Sequence, residues 1–304
     1  MRLATTTGDF NRFCPTYRER LAHVAAAGFR YADLSLYGIP KGDALLDDPD
    51  WEKNARELGD YARSLGVTFV QAHSVGFNPL NRDDAWQRFF DATARSLEIC
   101  RILGIPHTVV HAGWSRELDR DGFFEENRKF YRLLIPYMEE TGIQVLTENS
   151  TKANMGSNWY IESGEDTRQF AEFVDHPLFH VCWDTGHANI QGNQYDDILA
   201  LGDQLRAVHI NDNRGSGDEH ILPYLGTMNL DEILHALQDV RYRGDFTFEC
   251  ESTLRTSRSW LGKRRSFPQD TRLLEARCFM QDDLEKLLYH IGEYALKTYG
   301  CFEL

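Results

Sequence analysis

The feature that most constrains the fold of this chain is a repeated unit of strand, polar residue, loop, helix and glycine. In each unit a short apolar run is followed by a polar side chain, a loop, an amphipathic segment and a glycine. The unit recurs about eight times along the chain. Such alternation of strands and helices is typical of a parallel sheet joined by crossover helices. Eight units favour closure of that sheet into a barrel.

The predicted elements alternate over the whole chain, which indicates an α/β fold. Strands are predicted at 3–6, 31–36, 67–72, 107–110, 143–147, 179–183, 205–208 and 245–248. Helices are predicted at 15–27, 51–65, 84–103, 123–140, 165–174, 195–201 and 230–240, with one or two more at about 271–299. No glycine-rich phosphate loop follows the first strand, which argues against an open doubly wound sheet.

The length fits one barrel, because a (β/α)8 TIM barrel takes about 250 residues before additions. The chain has 304 residues and no compositional break. We therefore predict a single domain over 1–304, a (β/α)8 TIM barrel with a C-terminal helical extension. Residues from about 255 to 304 are expected to form a loop after the barrel and a helical tail. One face of that tail is apolar, so it is predicted to cover the barrel or to join subunits.

Charge and cysteine usage narrow the partners and the compartment. The formal net charge is -14 and the isoelectric point is near 5.2, so nucleic acid is not expected as a partner. The six cysteines are scattered and form no CxxC pair, which indicates a reducing compartment. No apolar run approaches the roughly 18 residues that a membrane span needs. We expect a cytoplasmic homo-oligomer without a membrane partner, with a complex of different chains as the alternative.

From the third strand onward, each predicted strand ends in a side chain that can bind a metal ion. In a barrel the carboxyl ends of the strands converge on one face. A buried charge or imidazole is costly unless it is paired or bound to a metal. We therefore predict a shared metal site at that face. The strand-end residues are His73, His111, Glu148, Asp184 with the following His187, His209 and Glu249.

Three of the histidines have alternative interpretations. His73 and His111 could instead bond to backbone carbonyls or contact a substrate, as buried histidines often do. His187 follows Asp184 by one helical turn, so the roles of metal ligand and substrate donor are equally open to it.

Two loop features are also ambiguous. Glu251 lies two residues after Glu249, so both would face the same side of a strand. Glu249 is the preferred metal ligand, because it comes first after the apolar run. Asp218 and His220 lie in a polar loop, where they could bind a metal ion or a substrate, or belong to a solvated loop.

Four segments resemble those of the xylose-isomerase-like TIM barrels. This group includes sugar-phosphate isomerases and epimerases, ketose 3-epimerases, inosose dehydratase and endonuclease IV. The segments are LTEN at 146–149, DTGHAN at 184–189, VHINDN at 208–213 and GDFTFE at 244–249. The resemblance covers essentially the whole barrel.

The resemblance to the epimerase-like members implies one divalent metal ion and an acid–base pair. The ligands carried over are Glu148, Asp184, His209 and Glu249, and this oxygen-rich set suits Mn²⁺, with Mg²⁺, Co²⁺ or Zn²⁺ as alternatives. Glu148 and Glu249 would move a proton at the carbon beside a carbonyl, through an enediolate that the metal stabilises. The implied function is therefore that of a metal-dependent isomerase or epimerase of a carbohydrate or polyol.

Three other functions stay open. C-glycoside deglycosidases and keto-glycoside or inosose-type lyases resemble the same barrel and use its metal site for β-elimination. Endonuclease IV, a phosphodiesterase, has a trinuclear Zn²⁺ site whose extra ligands resemble His73, His111, Asp218 and His220. The acidic charge and the lack of basic loops argue against that role. The last alternative is a sugar-binding subunit without catalytic activity.

Several loop residues are candidates for substrate binding. Trp114 and Trp159 are predicted on loops at the active face, where their rings could stack on a sugar or pack a lid. An arginine follows the histidine of the seventh strand in the epimerase pattern, and Arg214 lies one residue short of that spacing. The basic stretch 255–265 could bind an anion or an acidic partner surface, or be solvated.

Overall fold

Eight parallel strands close into a barrel in the computed structural model, which describes residues 1–39, 41–192, 194–255 and 275–303. Each strand pairs with its neighbour in sequence, and β1 also pairs with β8. This confirms the predicted (β/α)8 TIM barrel. The strands are β1 Leu3–Thr6, β2 Tyr31–Ser35, β3 Thr68–His73, β4 His107–Val109, β5 Gln144–Glu148, β6 Phe179–Asp184, β7 Leu205–Ile210 and β8 Phe246–Phe248.

Helices surround the barrel and follow the predicted order. They are α1 Tyr17–Ala27, α2 Trp51–Leu65, α3 Trp86–Leu103, α4 Arg120–Thr141, α5 Lys152–Met155, α6 Gly164–Val174, α7 Thr185–Asn189, α8 Gln194–Leu201, α9 Leu230–Asp239 and α10 Cys278–Thr298. The short helices α5 and α7 lie in predicted loops, because they are too short to show a helical period and depend on caps by Thr151 and Asp184. The single domain over 1–304 stays a prediction. Most of the basic stretch 255–265 and the start of the predicted tail lie outside the described residues.

Side chains along each strand point alternately into the barrel and toward the surrounding helices. Val145, Val181 and Val208 belong to the large core shared with the helices. The buried residues Val109, Leu146, Cys182 and Ala207 form a separate cluster. Side chains two residues apart on a strand face the same side of the sheet. The residues two positions beyond this inner layer therefore lie above it, at the carboxyl end of the barrel.

Helix α7 begins directly at the end of β6 and holds Asp184 in place. The Asp184 carboxylate accepts hydrogen bonds from the backbone N–H of His187 at 2.7 Å and from the side-chain amide of Asn211 at 2.7 Å. Gly186 lies between them, and a Cβ atom there would come within 1.8 Å of Asn211 Oδ1. A glycine is therefore required for Asn211 to reach Asp184.

Helix α10 packs over the contact between the first and last strands of the barrel. Gly292 lies against Leu3 and Phe248, so that a Cβ atom there would come within 2.4 Å of the Leu3 side chain. The Thr5 hydroxyl donates to Glu285 Oε1 at 2.5 Å. Glu285 also contacts the buried Asp9 carboxyl. Burial raises the pKa of Glu285 to about 7, and burial with the neighbouring Glu285 raises that of Asp9.

The length and hydropathy of the helices bear on membrane association. Across the described ranges, none is both long and apolar enough to cross a bilayer. The cytoplasmic location and the homo-oligomer stay predictions.

Substituting Gly186→Ala should lower stability, because the added methyl group overlaps Asn211 Oδ1. We expect a loss of about 1–3 kcal/mol in the free energy of unfolding, typical of overpacking a buried site. Urea unfolding measures it. Gly38→Ala is the control, because an added Cβ atom at Gly38 meets no atom within 4 Å. Equal stability of the two variants would contradict this account of Gly186.

Substituting Glu285→Gln should raise stability by an amount that grows as the pH rises above about 4.5. The folded-state pKa of Glu285 is about 7, above its ordinary value of 4.5, so the folded protein keeps a proton that the unfolded chain releases. The stability of the wild type therefore falls as pH rises from about 4.5 through about 7. Glutamine removes this loss, so we expect a gain of roughly 1–3 kcal/mol at pH 8 that vanishes near pH 4.5.

Urea unfolding of wild type and variant at both pH values measures this difference. Asp283→Asn is the matched control, since it removes one carboxylate from the same helix at a side chain that is 77% exposed. A gain that is equal at both pH values would show that the retained proton is not its cause.

Candidate metal centre

Four side chains from four successive strands meet at the carboxyl end of the barrel. Glu148, Asp184 and His209 are carried by β5, β6 and β7, and Glu249 follows β8 directly. One ligand atom from each lies within 4.8 Å of the others. Asp184 and His209 are register partners on neighbouring strands. The sheet pairing thus brings together the four residues that the sequence predicts as metal ligands.

Contacts among the four residues orient their donor atoms. His209 Nδ1 lies 2.5 Å from Glu148 Oε1 and 3.2 Å from Glu249 Oε2. Asp184 is fixed by Asn211 and by the start of α7. Asn149 also bonds to Asp184, since its side chain accepts from the Asp184 backbone N–H at 2.7 Å. The fold itself therefore arranges the site.

A buried chain of polar side chains orients the His209 ring from the other side. His209 Nε2 lies 2.6 Å from the side-chain amide of Gln71. Gln71 in turn contacts Asp33, which accepts a hydrogen bond from the Thr6 hydroxyl at 2.8 Å. The Gln71 amide nitrogen donates to His209 Nε2, which keeps the ring proton on Nδ1, facing the two glutamates, where a bound cation would displace it. Gln71 is therefore a positioning residue for His209.

The two glutamates have different electrostatic surroundings. Burial would raise the pKa of Glu148, but His209, His111 and His73 together hold it well below its usual range. Burial raises the pKa of Glu249 to about 7 despite the opposing effect of His209 and other histidines. Among the described residues, no lysine or arginine pairs with Glu148, Asp184 or Glu249. In the described part of the chain, this buried negative charge is therefore offset by histidines and neutral hydrogen-bond donors, which suits a site for a cation.

His73 and His111 extend the site on the side of Glu148. His111 Nε2 lies 2.6 Å from Glu148 Oε2, and His73 Nε2 lies 3.1 Å from His111 Nε2. His73 Nδ1 lies 2.9 Å from the Ser74 carbonyl oxygen. That carbonyl contact, one of the interpretations open from the sequence, leaves Nε2 directed into the site. His73, His111 and Glu148 form a second group of nearby donors.

His187, Asp218 and His220 extend the site on the opposite side. Asp218 Oδ2 lies 3.2 Å from His187 Nε2, and Asp218 Oδ1 lies 2.9 Å from His220 Nε2. Antiparallel pairing of Asp212 with Ile221 ties down the loop that carries Asp218 and His220. The side chains of His220 and Asp218 are 14% and 26% exposed, so these two face the site, whereas Arg214 and Ser216 of the same loop are exposed.

His187 and His220 each have one ring nitrogen that makes no hydrogen bond to a described residue. Nδ1 of His187 and Nδ1 of His220 are buried and have no hydrogen-bond partner among the described residues. Asp184, His187 and His220 form a further group of nearby donors. His187 is therefore placed both beside Asp184 and at the cavity wall, which keeps its two predicted roles open.

Two adjoining cavities of about 300 Å³ and 390 Å³ lie above the four-residue group. Both are lined by Tyr37, His111, Glu148, His187 and Asp218. Their size suits a small molecule. The four-residue group therefore lies at the base of a pocket rather than in a closed core.

The other predicted site residues occupy different positions. Trp114 lines the smaller cavity, as does Trp159, although Trp159 is only 1% exposed and packs against Phe123. Arg214 is not among the described residues that line either cavity, and its guanidinium pairs with Glu219.

At the end of β8, the structure distinguishes the two glutamates. Glu249 belongs to the four-residue group, whereas Glu251 Oε2 lies 3.5 Å from His220 Nδ1. Arg255, the described member of the basic stretch 255–265, lines the larger cavity.

Sequence reasoning missed the residues that support the ligands. Gln71 precedes His73 by two positions and Asp33 precedes Ser35 by two, so strand alternation would have placed both inside the barrel. Asn149 and Asn211 stand beside or near predicted ligands. The sequence signal that could have identified Gln71 and Asp33 is a polar residue at an inward-facing position of a buried strand.

Comparisons with known proteins agree with this fold. An uncharacterized protein of Sinorhizobium fredii is 28% identical over 63% of this chain, and the match spans 62% of that protein's length. The D-psicose 3-epimerase of Ruminiclostridium cellulolyticum is 22% identical over 77% of this chain and 78% of its own. A crystal structure of D-psicose 3-epimerase with D-tagatose, from Clostridium cellulolyticum, shares the fold with a TM-score of 0.72 at 18% identity, covering 97% of this chain and 99% of that one.

A family model extends the agreement to most of the chain. Residues 21–274 match the model described as xylose isomerase-like TIM barrel. This range includes all four residues of the candidate metal centre. The protein belongs to the xylose isomerase-like TIM barrel family.

Proposed function

We propose that this protein is a divalent-metal-dependent isomerase or epimerase that acts on a small carbohydrate or polyol. The observation that carries the proposal is the group of three carboxylates and one imidazole within 4.8 Å at the base of an open pocket. Sugar 3-epimerases among its relatives support the choice of reaction. The substrates of these relatives indicate the class of substrate that we expect for this protein, but they do not indicate the particular sugar.

The donor set fits a divalent cation that prefers oxygen ligands. Glu148, Asp184, His209 and Glu249 would hold it, and this set suits Mn²⁺, with Mg²⁺, Co²⁺ or Zn²⁺ as alternatives. Cys182 lies near Glu148 and His209, but burial raises the pKa of its thiol to about 12. Cys182 also belongs to the inner layer one level below the four-residue group, so it is not counted among the four donors. A bound divalent ion supplies Lewis-acid chemistry, polarising substrate oxygens and offsetting the charge that proton removal creates.

Glu148 and Glu249 would serve as the acid–base pair. One carboxylate removes a proton from the carbon beside the substrate carbonyl, and the other returns a proton to that carbon or its neighbour. The bonds from His111 and His209 fix both oxygens of Glu148, which limits the motion of this group relative to a bound sugar. His187 and Asp218 at the cavity wall are the candidates for contacts with substrate hydroxyl groups.

A second candidate function is that of an endonuclease IV-like phosphodiesterase. The two additional donor groups favour it, because His73 with His111 and His187 with His220 flank the four-residue group. The unpartnered Nδ1 atoms of His187 and His220 add to this support. Three metal ions bound in the barrel and cleavage of DNA at abasic sites would select this function over the first.

The proposed isomerase should exchange a substrate proton with solvent. We expect the Mn²⁺-loaded protein in D₂O to incorporate deuterium beside the carbonyl of at least one ketose from a panel of hexuloses and pentuloses. Glu148→Gln should lower the exchange rate by about 100-fold or more, the lower end of what an acid–base residue contributes. NMR measures the exchange, and elemental analysis of each sample reports the bound metal.

Glu172→Gln is the matched control, because Glu172 is an exposed residue of α6 that pairs with Arg168. If Glu148→Gln with bound metal exchanged deuterium at the wild-type rate, the two-glutamate mechanism would be wrong. Absence of exchange with every ketose of the panel would count against the proposed reaction.

Gln71→Met should weaken metal binding without removing a ligand. The substitution takes away the amide that orients His209, and loss of such a partner typically costs about 10–100-fold in metal affinity. Titration calorimetry with Mn²⁺ measures the affinity. Thr247→Val is the control for a buried change inside the barrel, because the Thr247 hydroxyl has no hydrogen-bond partner among the described residues. If Gln71→Met bound Mn²⁺ as tightly as the wild type, Gln71 would not be a positioning residue for His209.

A further inference from the structure

A second cluster of metal-binding side chains lies outside the barrel mouth. Cys14 precedes α1, His23 lies on α1, and Cys278 is the first residue of α10. One ligand atom from each lies within 4.8 Å of the other two. None of the three lines either cavity above the four-residue group. The cluster therefore joins the start of the chain to its last helix and is separate from the proposed active site.

The histidine of this cluster is oriented toward the thiols. His23 Nδ1 lies 2.5 Å from Asp282 Oδ1, and His23 Nε2 lies 3.7 Å from Cys278 Sγ. Asp282 follows Cys278 by one turn of α10, so both groups meet the same imidazole ring. A carboxylate on Nδ1 keeps the proton there and leaves the Nε2 lone pair directed at the sulfur. Phe10 stacks on the other face of the ring with a centroid distance of 5.0 Å.

The two thiols are close together, and one of them is shielded from solvent. Cys14 is buried, and Cys278 is partly buried. Burial and the nearby Cys278 raise the pKa of Cys14 to about 11. Burial also raises the pKa of the Cys278 thiol, and a bound cation would displace the protons of both thiols. Two sulfurs and one imidazole nitrogen are a soft donor set, unlike the oxygen-rich group in the barrel.

We propose that Cys14, His23 and Cys278 form a Zn²⁺ site that fastens α10 to α1. Asp282 serves as the outer partner that orients His23. Three protein ligands leave the fourth tetrahedral position to water. Since Cys278 lies at the first turn of α10, the metal ion holds the beginning of the helix, while Glu285 and Gly292 hold its middle. The site stabilises the docked helix and takes no part in the barrel chemistry.

Co²⁺ titration of the metal-free, full-length protein under reducing conditions tests the proposal. Thiolate coordination gives a sulfur-to-cobalt charge-transfer band in the near ultraviolet, which carboxylate and imidazole ligands do not. We expect this band in the wild type, and we expect Zn²⁺ to displace it. Cys14→Ser and Cys278→Ser should each abolish the band. Asp282→Asn should keep the band and weaken binding by about 10-fold or more.

Cys182→Ala is the matched control, because Cys182 lies beside the barrel ligands and could give a thiolate band of its own. The band should survive this substitution. Absence of the band in the wild type would overturn the proposal, as would a band that is lost in Cys182→Ala and kept in Cys14→Ser. A Cys14–Cys278 disulfide found by mass spectrometry, with no Co²⁺ uptake after its reduction, would also overturn it.

Discussion

The hydrogen-bonded closure of eight parallel strands is the constraint on which the rest of this structure depends. Closure fixes the register between neighbours, and register fixes which side chains point into the barrel. A slip of one residue in β6 would turn Asp184 outward and bring Trp183 inward. The apolar inner layer of Val109, Leu146, Cys182 and Ala207 opposes such a slip, because these residues would leave the interior at the same time.

Closure also forces charge into a confined space, and the chain offsets that cost with histidines and amides. Glu148 is bonded by two imidazoles, and Asp184 by an amide and the first turn of α7. A buried carboxylate with such partners costs less than an isolated one. The arrangement still leaves Glu249 with a raised pKa. The site is thus rigid and incompletely neutralised, which are the two properties that favour binding of a divalent cation.

The sequence predicted the barrel and the polar strand ends that meet in the four-residue group, because both follow from strong, repeated patterns. Each ligand ends an apolar run, and the runs recur at the spacing of one strand and one helix. It could not predict contacts between strands distant in sequence, such as Gln71 with His209, because these depend on the three-dimensional register. The sequence likewise could not predict that Arg214 pairs with Glu219, because this contact depends on the loop conformation. The burial of Trp159 likewise depends on how α4 packs.

The position of α10 bears on the active site through a short chain of contacts. Glu285 contacts Asp9, and the Cys250 backbone N–H donates to Asp9 Oδ1 at 3.3 Å. Cys250 directly follows Glu249, the proposed ligand that lies just beyond the three-residue strand β8. So short a strand gives Glu249 little support of its own, and the bond to Asp9 adds to that support. A helix held firmly over β1 and β8 therefore helps to fix Glu249 within the four-residue group, although the helix contributes no residue to that group.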